Sequence, residues 1–254
     1  MGTLATAGAP GQSRLPWGSV RGISLLGLAV TVLVLAGLAG CNGTVVVGGD
    51  TQGDEKNYEV GGRIDRLVVR ADAGDVKVTG TEGERTPAVT ERLHYDTRKP
   101  RTTHKVENNT LVLTATCPGG ARRCWVDYAI TVERSVQVTA ETGAGDVVVE
   151  NTSRPMEATA DAGDVRATGL AGPSAVAGSD AGGVLLEFVS PPDQVDATTS
   201  AGDVTIRLPG GTSYAVEADT DVGDSTVDVP VDSGSAHRVR ARSDVGDVSV
   251  LPRG

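Results

Sequence analysis

The stretch ADAGDVRATG, Ala160 to Gly169, nearly copies ADAGDVKVTG at Ala71 to Gly80. Weaker echoes read SDAGGVLLEF, TSAGDVTIRL, TDVGDSTVDV and SDVGDVSVLP. Aligned on the glycine before Asp or its substitute, the echoes place corners at Gly74, Gly145, Gly163, Gly182, Gly202, Gly223 and Gly246. From Gly145 onward the steps are 18, 19, 20, 21 and 23 residues. Self-similarity at so short and steady a period marks a repeat architecture. The 71 residues from Gly74 to Gly145 leave room for three or four further turns in degraded form.

The alignment sorts residues into columns. Seven before the glycine stand Leu67, Val138, Met156, Ala175, Val195, Val216 and Val239, and five before it an almost unbroken column of Ala. Three before stand Ala, Ser or Thr, and one before stand Ala or Val. Two after it stands Val except at Ser225, and four after it Val, Ala167, Leu186 or Ile206. This is period-two alternation, with one face inward and one outward. It breaks once per repeat, at Gly-Asp, where two residues in a row face out, which means a bend or bulge. Glycine supplies backbone freedom there, and aspartate bonds backbone at turns. Each repeat is thus two short strands around a corner, too small to bury its own apolar face, so successive coils must stack. The fold expected is all-β: a parallel β-solenoid, or β-helix, of about 20-residue coils, with like residues ~4.8 Å apart. A β-sandwich of hairpins is the rival; it predicts turns but not aligned columns.

Aromatics make up only 3% of the 254 residues, in keeping with a core of small side chains in thin layers. The formal charge of −10 argues against a nucleic-acid partner. Basic residues cluster only locally, in TRKPRTTHK and ARRC. The region Val89 to Val136 breaks the rhythm. LVLTATC and WVDYAITV read as strands joined by a cysteine loop, and the Arg/Lys/Pro-rich part reads as an irregular protruding loop. Trp125 and Tyr128 beside that loop read either as an exposed binding patch or as a plug packing the start of the solenoid.

The N-terminus has another character. Residues 1–40 carry no acid, and Arg14 and Arg21 precede an apolar run from Ile23 to Ala39. That is the layout of a secretory signal. The run ends in Leu38-Ala39-Gly40-Cys41, which resembles the lipobox of bacterial lipoproteins. The resemblance implies diacylglyceryl on the Cys41 sulfur, cleavage before Cys41, and an acyl chain such as palmitate on the new amino group. An uncleaved membrane-spanning anchor is the alternative, since the run approaches the ~20 residues that cross a bilayer. Both place the rest of the chain outside the cytoplasm. The expected domains are a signal peptide at 1–40, a Gly/Asp-rich tether at 41–57, and the solenoid at 58–254. With Cys41 lipidated, Cys117 and Cys124 remain and read as a disulfide closing CPGGARRC. A metal site is the rival reading, short of soft or imidazole ligands with three histidines in the chain.

A family resemblance joins these parts. The lead YEVGGRIDRLVV, then GDVKVTG, a middle loop, an I-x-V turn and serial GDV repeats are similar to an adhesin-type family of bacterial β-helical repeat domains, long catalogued as a domain of unknown function. The likeness runs from about Tyr58 to Gly254. It departs at AITVERSV, where Glu133-Arg134 stand in place of the proline often found there. It implies a cell-surface, adhesive role and no catalytic residues.

Chemistry could lie on the corner acids. Asp146, Asp164, Asp203, Asp224 and Asp247 share one column with Asp75, and Asp72, Asp161, Asp180, Asp221 and Asp244 share another. Stacked carboxylates repel by about 1 kcal/mol per neighbouring pair at water-like screening. Calcium would relieve that; aspartate as a corner residue explains the column without a metal. No phosphate loop, metalloprotease helix or nucleophile elbow occurs. Gly223-Asp224-Ser225 is the sixth corner with Ser in the Val column. The reading is a non-enzymatic lipoprotein, adhesin-like or structural, held on the membrane through Cys41 and presenting an acidic edge to an envelope polymer or surface protein. The alternatives are a calcium-dependent binding module and a carbohydrate-active β-helix enzyme, the latter needing an isolated carboxylate pair.

Overall fold

Alternating Val, Ala and Thr give each strand one apolar face, and β-branched residues favour the pleated backbone. The computed structural model describes residues 52–254, to which all structural statements refer. The expected signal peptide, Cys41 and most of the tether lie outside them. The N-terminal part holds β1 (Gln52–Glu59), β2 (Arg66–Ala71), β3 (Val76–Thr81), β4 (Ala88–Tyr95), β5 (Arg101–Glu107), β6 (Thr110–Thr116) and β7 (Cys124–Glu133). The regular stack follows as β8 (Gln137–Ala144), β9 (Val147–Glu150), β10 (Met156–Ala162), β11 (Val165–Leu170), β12 (Ser174–Ala181), β13 (Val184–Phe188), β14 (Gln194–Ala201) and β15 (Val204–Leu208). Last come β16 (Ala215–Val222), β17 (Ser225–Val227), β18 (Arg238–Val245) and β19 (Val248–Pro252).

No helix occurs among the described residues, and the strands form two largely parallel sheets. One runs β1-β4-β7-β3-β9-β11-β13-β15-β19-β17, and the other β16-β18-β14-β12-β10-β8-β2-β6-β5. Consecutive strands from β8 to β15 alternate between the sheets, so each layer contributes one strand to each. The columns are register partners: Val138, Met156, Ala175 and Val195 pair in succession on one sheet, and Val147, Val165, Val184 and Val204 on the other. Their side chains are buried in a single core between the sheets.

Four expectations need correction. First, Gln52 to Asn57 belong to β1, not to a tether; β1 pairs antiparallel with β4, and its polar sequence QGDEKNYE hides the alternation. Second, no turns are stacked between the Gly74 and Gly145 corners: Leu67 pairs directly with Val138, and Val76 with Val147. The intervening chain instead builds the outer end of the stack. There the supposed irregular loop is largely strand. β5 and β6 form a hairpin whose two turn residues, Asn108 (φ 50°) and Asn109 (φ 58°), adopt the left-handed conformation that such two-residue turns need.

Third, the last layers are out of chain order. Val195 pairs with Val239, and Val239 with Val216, so the C-terminal pair β18/β19 lies between β14/β15 and the outermost β16/β17. The crossing is fixed by Tyr214, which is buried, donates its hydroxyl to the Pro209 carbonyl at 2.8 Å, and stacks edge-on with His237. Fourth, from Gly145 onward the residue before the corner glycine faces out. Ala144, Ala162, Ala181 and Ala201 are exposed, as are Val222 (62%) and Val245 (54%). The inward face ends two positions earlier, at the Ser/Thr column.

Candidate functional site

The corner works through three residues. Glycine leads: Gly145, Gly163, Gly182, Gly202, Gly223 and Gly246 all have φ between 134° and 154°, where other residues are strained. A Cβ on any of them would also collide with the carbonyl oxygen of the neighbouring corner glycine. Inside the bend, the hydroxyls of Thr142, Ser179, Thr199, Thr220 and Ser243 donate to the carbonyls of Gly74, Gly163, Gly182, Gly246 and Gly202, at 2.7–2.9 Å. Buried hydroxyls need partners, and the glycine carbonyl of the adjacent layer is the partner here.

The aspartates form the third line. The Asp146 N–H donates to Asp75 Oδ1 at 2.9 Å, the Asp164 N–H to Asp146 Oδ1 at 2.9 Å, and the Gly183 N–H to Asp164 Oδ1 at 2.8 Å. Beyond Gly183, the Asp247 N–H donates to Asp203 Oδ1 at 2.8 Å and the Asp224 N–H to Asp247 Oδ1 at 3.0 Å. Each carboxylate therefore bonds backbone in the next layer, not in its own turn. The row starts one step earlier than the repeat does, because the Asp75 N–H donates to Asp127 Oδ1 at 3.0 Å. Asp127 carries no Gly-Asp signature, so only the register of β7 reveals it. The row has one gap: Gly183 stands where the other corners have Asp and offers the Asp203 N–H no carboxylate.

The structure thus brings Asp146, Asp164, Asp203, Asp224 and Asp247 to one exposed edge, in the order 146, 164, 203, 247, 224. One oxygen of Asp146, Asp164, Asp203 and Asp247 is engaged by backbone. Among the described residues no three His, Cys, Asp or Glu side chains converge as a metal site would require.

Trp125 and Tyr128 do not form one patch. The alternation of β7 turns Val126, Tyr128, Ile130 and Val132 into the core, where Tyr128 is 1% exposed. An exposed binding role for Tyr128 is therefore excluded. Trp125 lies on the opposite face, half-buried, stacked on His94 with ring centroids 4.8 Å apart. His94 Nε2 is 3.1 Å from Asp127 Oδ2. Cys117 and Cys124 are joined by a disulfide, Cα to Cα 5.8 Å. The Cys117 N–H donates to Asp72 Oδ2 at 2.8 Å, which ties that loop to the corner edge.

A buried polar cluster at the N-terminal end was missed from the sequence. Glu91 is 1% exposed; it accepts from the Tyr58 hydroxyl at 2.7 Å and from Lys56 Nζ at 3.2 Å. Lys56 also bonds Thr102 on the opposite sheet, and Tyr58 stacks on His104 there, centroids 4.6 Å apart. Burial, then the hydrogen bond to Glu91, pushes the Tyr58 phenol up; burial does the same for Tyr128. The signal was a single acid at an inward position of AVTERLHY.

The fold has known relatives. No curated protein matches the chain. Among solved structures, a "putative adhesin" from Bacteroides fragilis shares 14% identity over 80% of this chain and 97% of its own, with a TM-score of 0.47. A "putative cell adhesion protein" from Clostridium sporogenes shares 12% over 80% of this chain and 100% of its own, with a TM-score of 0.44. The family model described as Toastrack DUF4097 matches residues 61–251. With three quarters of its length matched, the chain belongs to the Toastrack DUF4097 family.

Proposed function

We propose that this protein is a non-enzymatic surface lipoprotein, an adhesin-like binding or structural rod anchored outside the cytoplasm through Cys41. We read the two sheets as the walls of a solenoid with coils about 20 residues long. The observation that supports the reading is the aspartate row. The carboxylates that follow the corner glycines are engaged layer by layer with backbone N–H groups, which supports a repeat that builds a scaffold and leaves partner recognition to the loops. The signal layout and lipobox of residues 23–41 supply the address. Two or more acyl chains would hold the chain firmly, where one would not. Partners of such a rod are an envelope polymer or another surface protein.

The test is chemical. Cells fed a clickable palmitate analogue should label the chain, and mass spectrometry should find Cys41 as the acylated N-terminal residue. Cys41→Ala should abolish label and release the chain from the membrane pellet or leave it unprocessed. An unmodified Cys41 within an uncleaved chain would overturn the lipoprotein assignment.

A further inference from the structure

We propose that copies of this chain stack end to end, the β5 edge of one pairing with the β16 edge of the next. Stacking needs no anchor at Cys41. Both sheets end in open strands among the described residues: β1 and β5 at the N-terminal end, β16 and β17 at the other. An open edge offers unpaired N–H and C=O groups to a strand that matches it.

The register shows which strand matches β16. Followed strand by strand through the nine-stranded sheet, each residue of β5 falls in the column of one residue of β16. On the inward face Val106 continues the Val216 column, His104 the Ala218 column and Thr102 the Thr220 column. On the outward face Lys105 continues the Glu217 column and Thr103 the Asp219 column, and Arg101 and Asp221 lie one step further along the same edge. The one acid of β5, Glu107, falls in the uncharged Ala215 column. A second copy set on the end of the first therefore brings valine to valine and cation to anion with no shift of register. β5 runs against the sheet and β16 runs with it, so the new pair is antiparallel.

Exposure and charge agree. Val106 faces inward yet is 44% exposed, because no further layer covers it. Lys105, Arg101, Glu217 and Asp219 form no ion pair among the described residues. From residue 209 to residue 236 the terminal layer and its loops carry six acids and no Lys, Arg or His. β18 already shows how this strand is met. Its Arg240 and Arg242 are the register partners of Glu217 and Asp219, and Arg242 bonds Asp221 at 3.0 Å and Asp244 at 3.3 Å. β5 of the next copy supplies cations from the other side. Charges on an edge strand ordinarily keep other strands away; here the two edges of one sheet carry opposite signs in the same columns. On the other sheet Tyr58 falls in the Val227 column, but Glu55 and Glu59 approach Asp224 and Asp228. Glu55 is held by Arg92 at 3.0 Å. The contact is thus carried by β5 and β16. Two β16 edges would set acid on acid, so unlike ends meet, and each addition leaves an open end.

A disulfide reads the contact in the membrane that holds the protein. Within one chain Thr103 and Asp219 sit at opposite edges of the nine-stranded sheet, ~38 Å apart by strand spacing. A bridge between cysteines at these positions can only join two copies. The full chain carrying Thr103→Cys/Asp219→Cys, mildly oxidised, should give a non-reducing ladder of dimers, trimers and longer species. Either cysteine alone should add nothing to the background that the wild-type chain sets. Adding Lys105→Glu or Glu217→Lys should cut the ladder at least about fivefold. Combining the two reversals should restore it, with the native thermal melt kept throughout. No ladder, while both thiols react with maleimide, would overturn the proposal. So would dimers from Asp219→Cys alone, which put like ends together, or a ladder indifferent to the charge reversals.

Discussion

At the scale of the residue, the corner asks opposite things of two adjacent glycines. Gly182 and its equivalents have positive φ and a neighbouring carbonyl where a Cβ would go, so Gly163→Ala should cost several kcal/mol, combining backbone strain with forced displacement of Gly145. Gly183 is different. It has no left-handed φ, and a Cβ there would meet the Asp203 carbonyl oxygen at 3.3 Å, close but in the place where the six other corners carry Asp. Gly183→Asp should fill the gap in the row by accepting the Asp203 N–H, and it removes a glycine from the unfolded chain. A gain of about 0.5–1 kcal/mol is expected, a rise in Tm of a few degrees. Thermal melts of the two variants check this. A neutral Gly163→Ala, or a destabilising Gly183→Asp, would mean the corner is held by something other than the glycine and aspartate lines.

At the scale of the element, the two ends of the stack differ. Solenoids need terminal layers that can face water. At the N-terminal end β1, β4 and β5 do this with polar inward residues: Lys56, Tyr58 and Glu91 on one sheet meet Thr102 and His104 on the other. A fully buried carboxylate tolerates its site only with such partners. At the far end β16/β17 is simply poor in apolar residues, with Ser225 exposed in the Val column and Val227 40% exposed. The tyrosines give a pH signature. Tyr58 and Tyr128 have phenols pushed up by burial, and Tyr95 and Tyr214 are raised too. The folded state thus holds protons that the unfolded chain loses near pH ~10. Stability is full below that pH and falls as pH rises beyond it. Phenolate absorbance should therefore appear in one step together with loss of the strand circular dichroism signal. A gradual rise centred near pH ~10 with the sheets intact would contradict the buried cluster.

At the scale of the whole molecule, the two parallel sheets and the inward columns were legible because small residues at matched positions repeat too regularly for anything but stacking. Layer order was not. Every Gly-Asp corner offers the same glycine, carboxylate and hydroxyl, so the chain carries no local label saying which corner sits on which. What broke the degeneracy lay outside the repeat: Tyr214 and His237 fixing the crossing, and β4 to β7 carrying the chain outward after β3. The weak column of β16/β17 was the one available hint that this layer is terminal. Asp127 was illegible for a related reason, and Glu91 left only the faint mark of an acid at an inward position, since each depends on a neighbour supplied by an antiparallel or distant strand. The account's central claim is that side chains at matched positions pair between layers in the order set by the sheets, with the C-terminal layer inserted. Cysteine pairs test it directly. Ala201 and Val245 are exposed register partners, whereas a stack in chain order would set Ala201 beside Val222. Under mild oxidation Ala201→Cys/Val245→Cys should form a disulfide readily, as neighbouring strands lie within its reach, and Ala201→Cys/Val222→Cys should not. Cross-linking of the second pair and not the first would contradict the account.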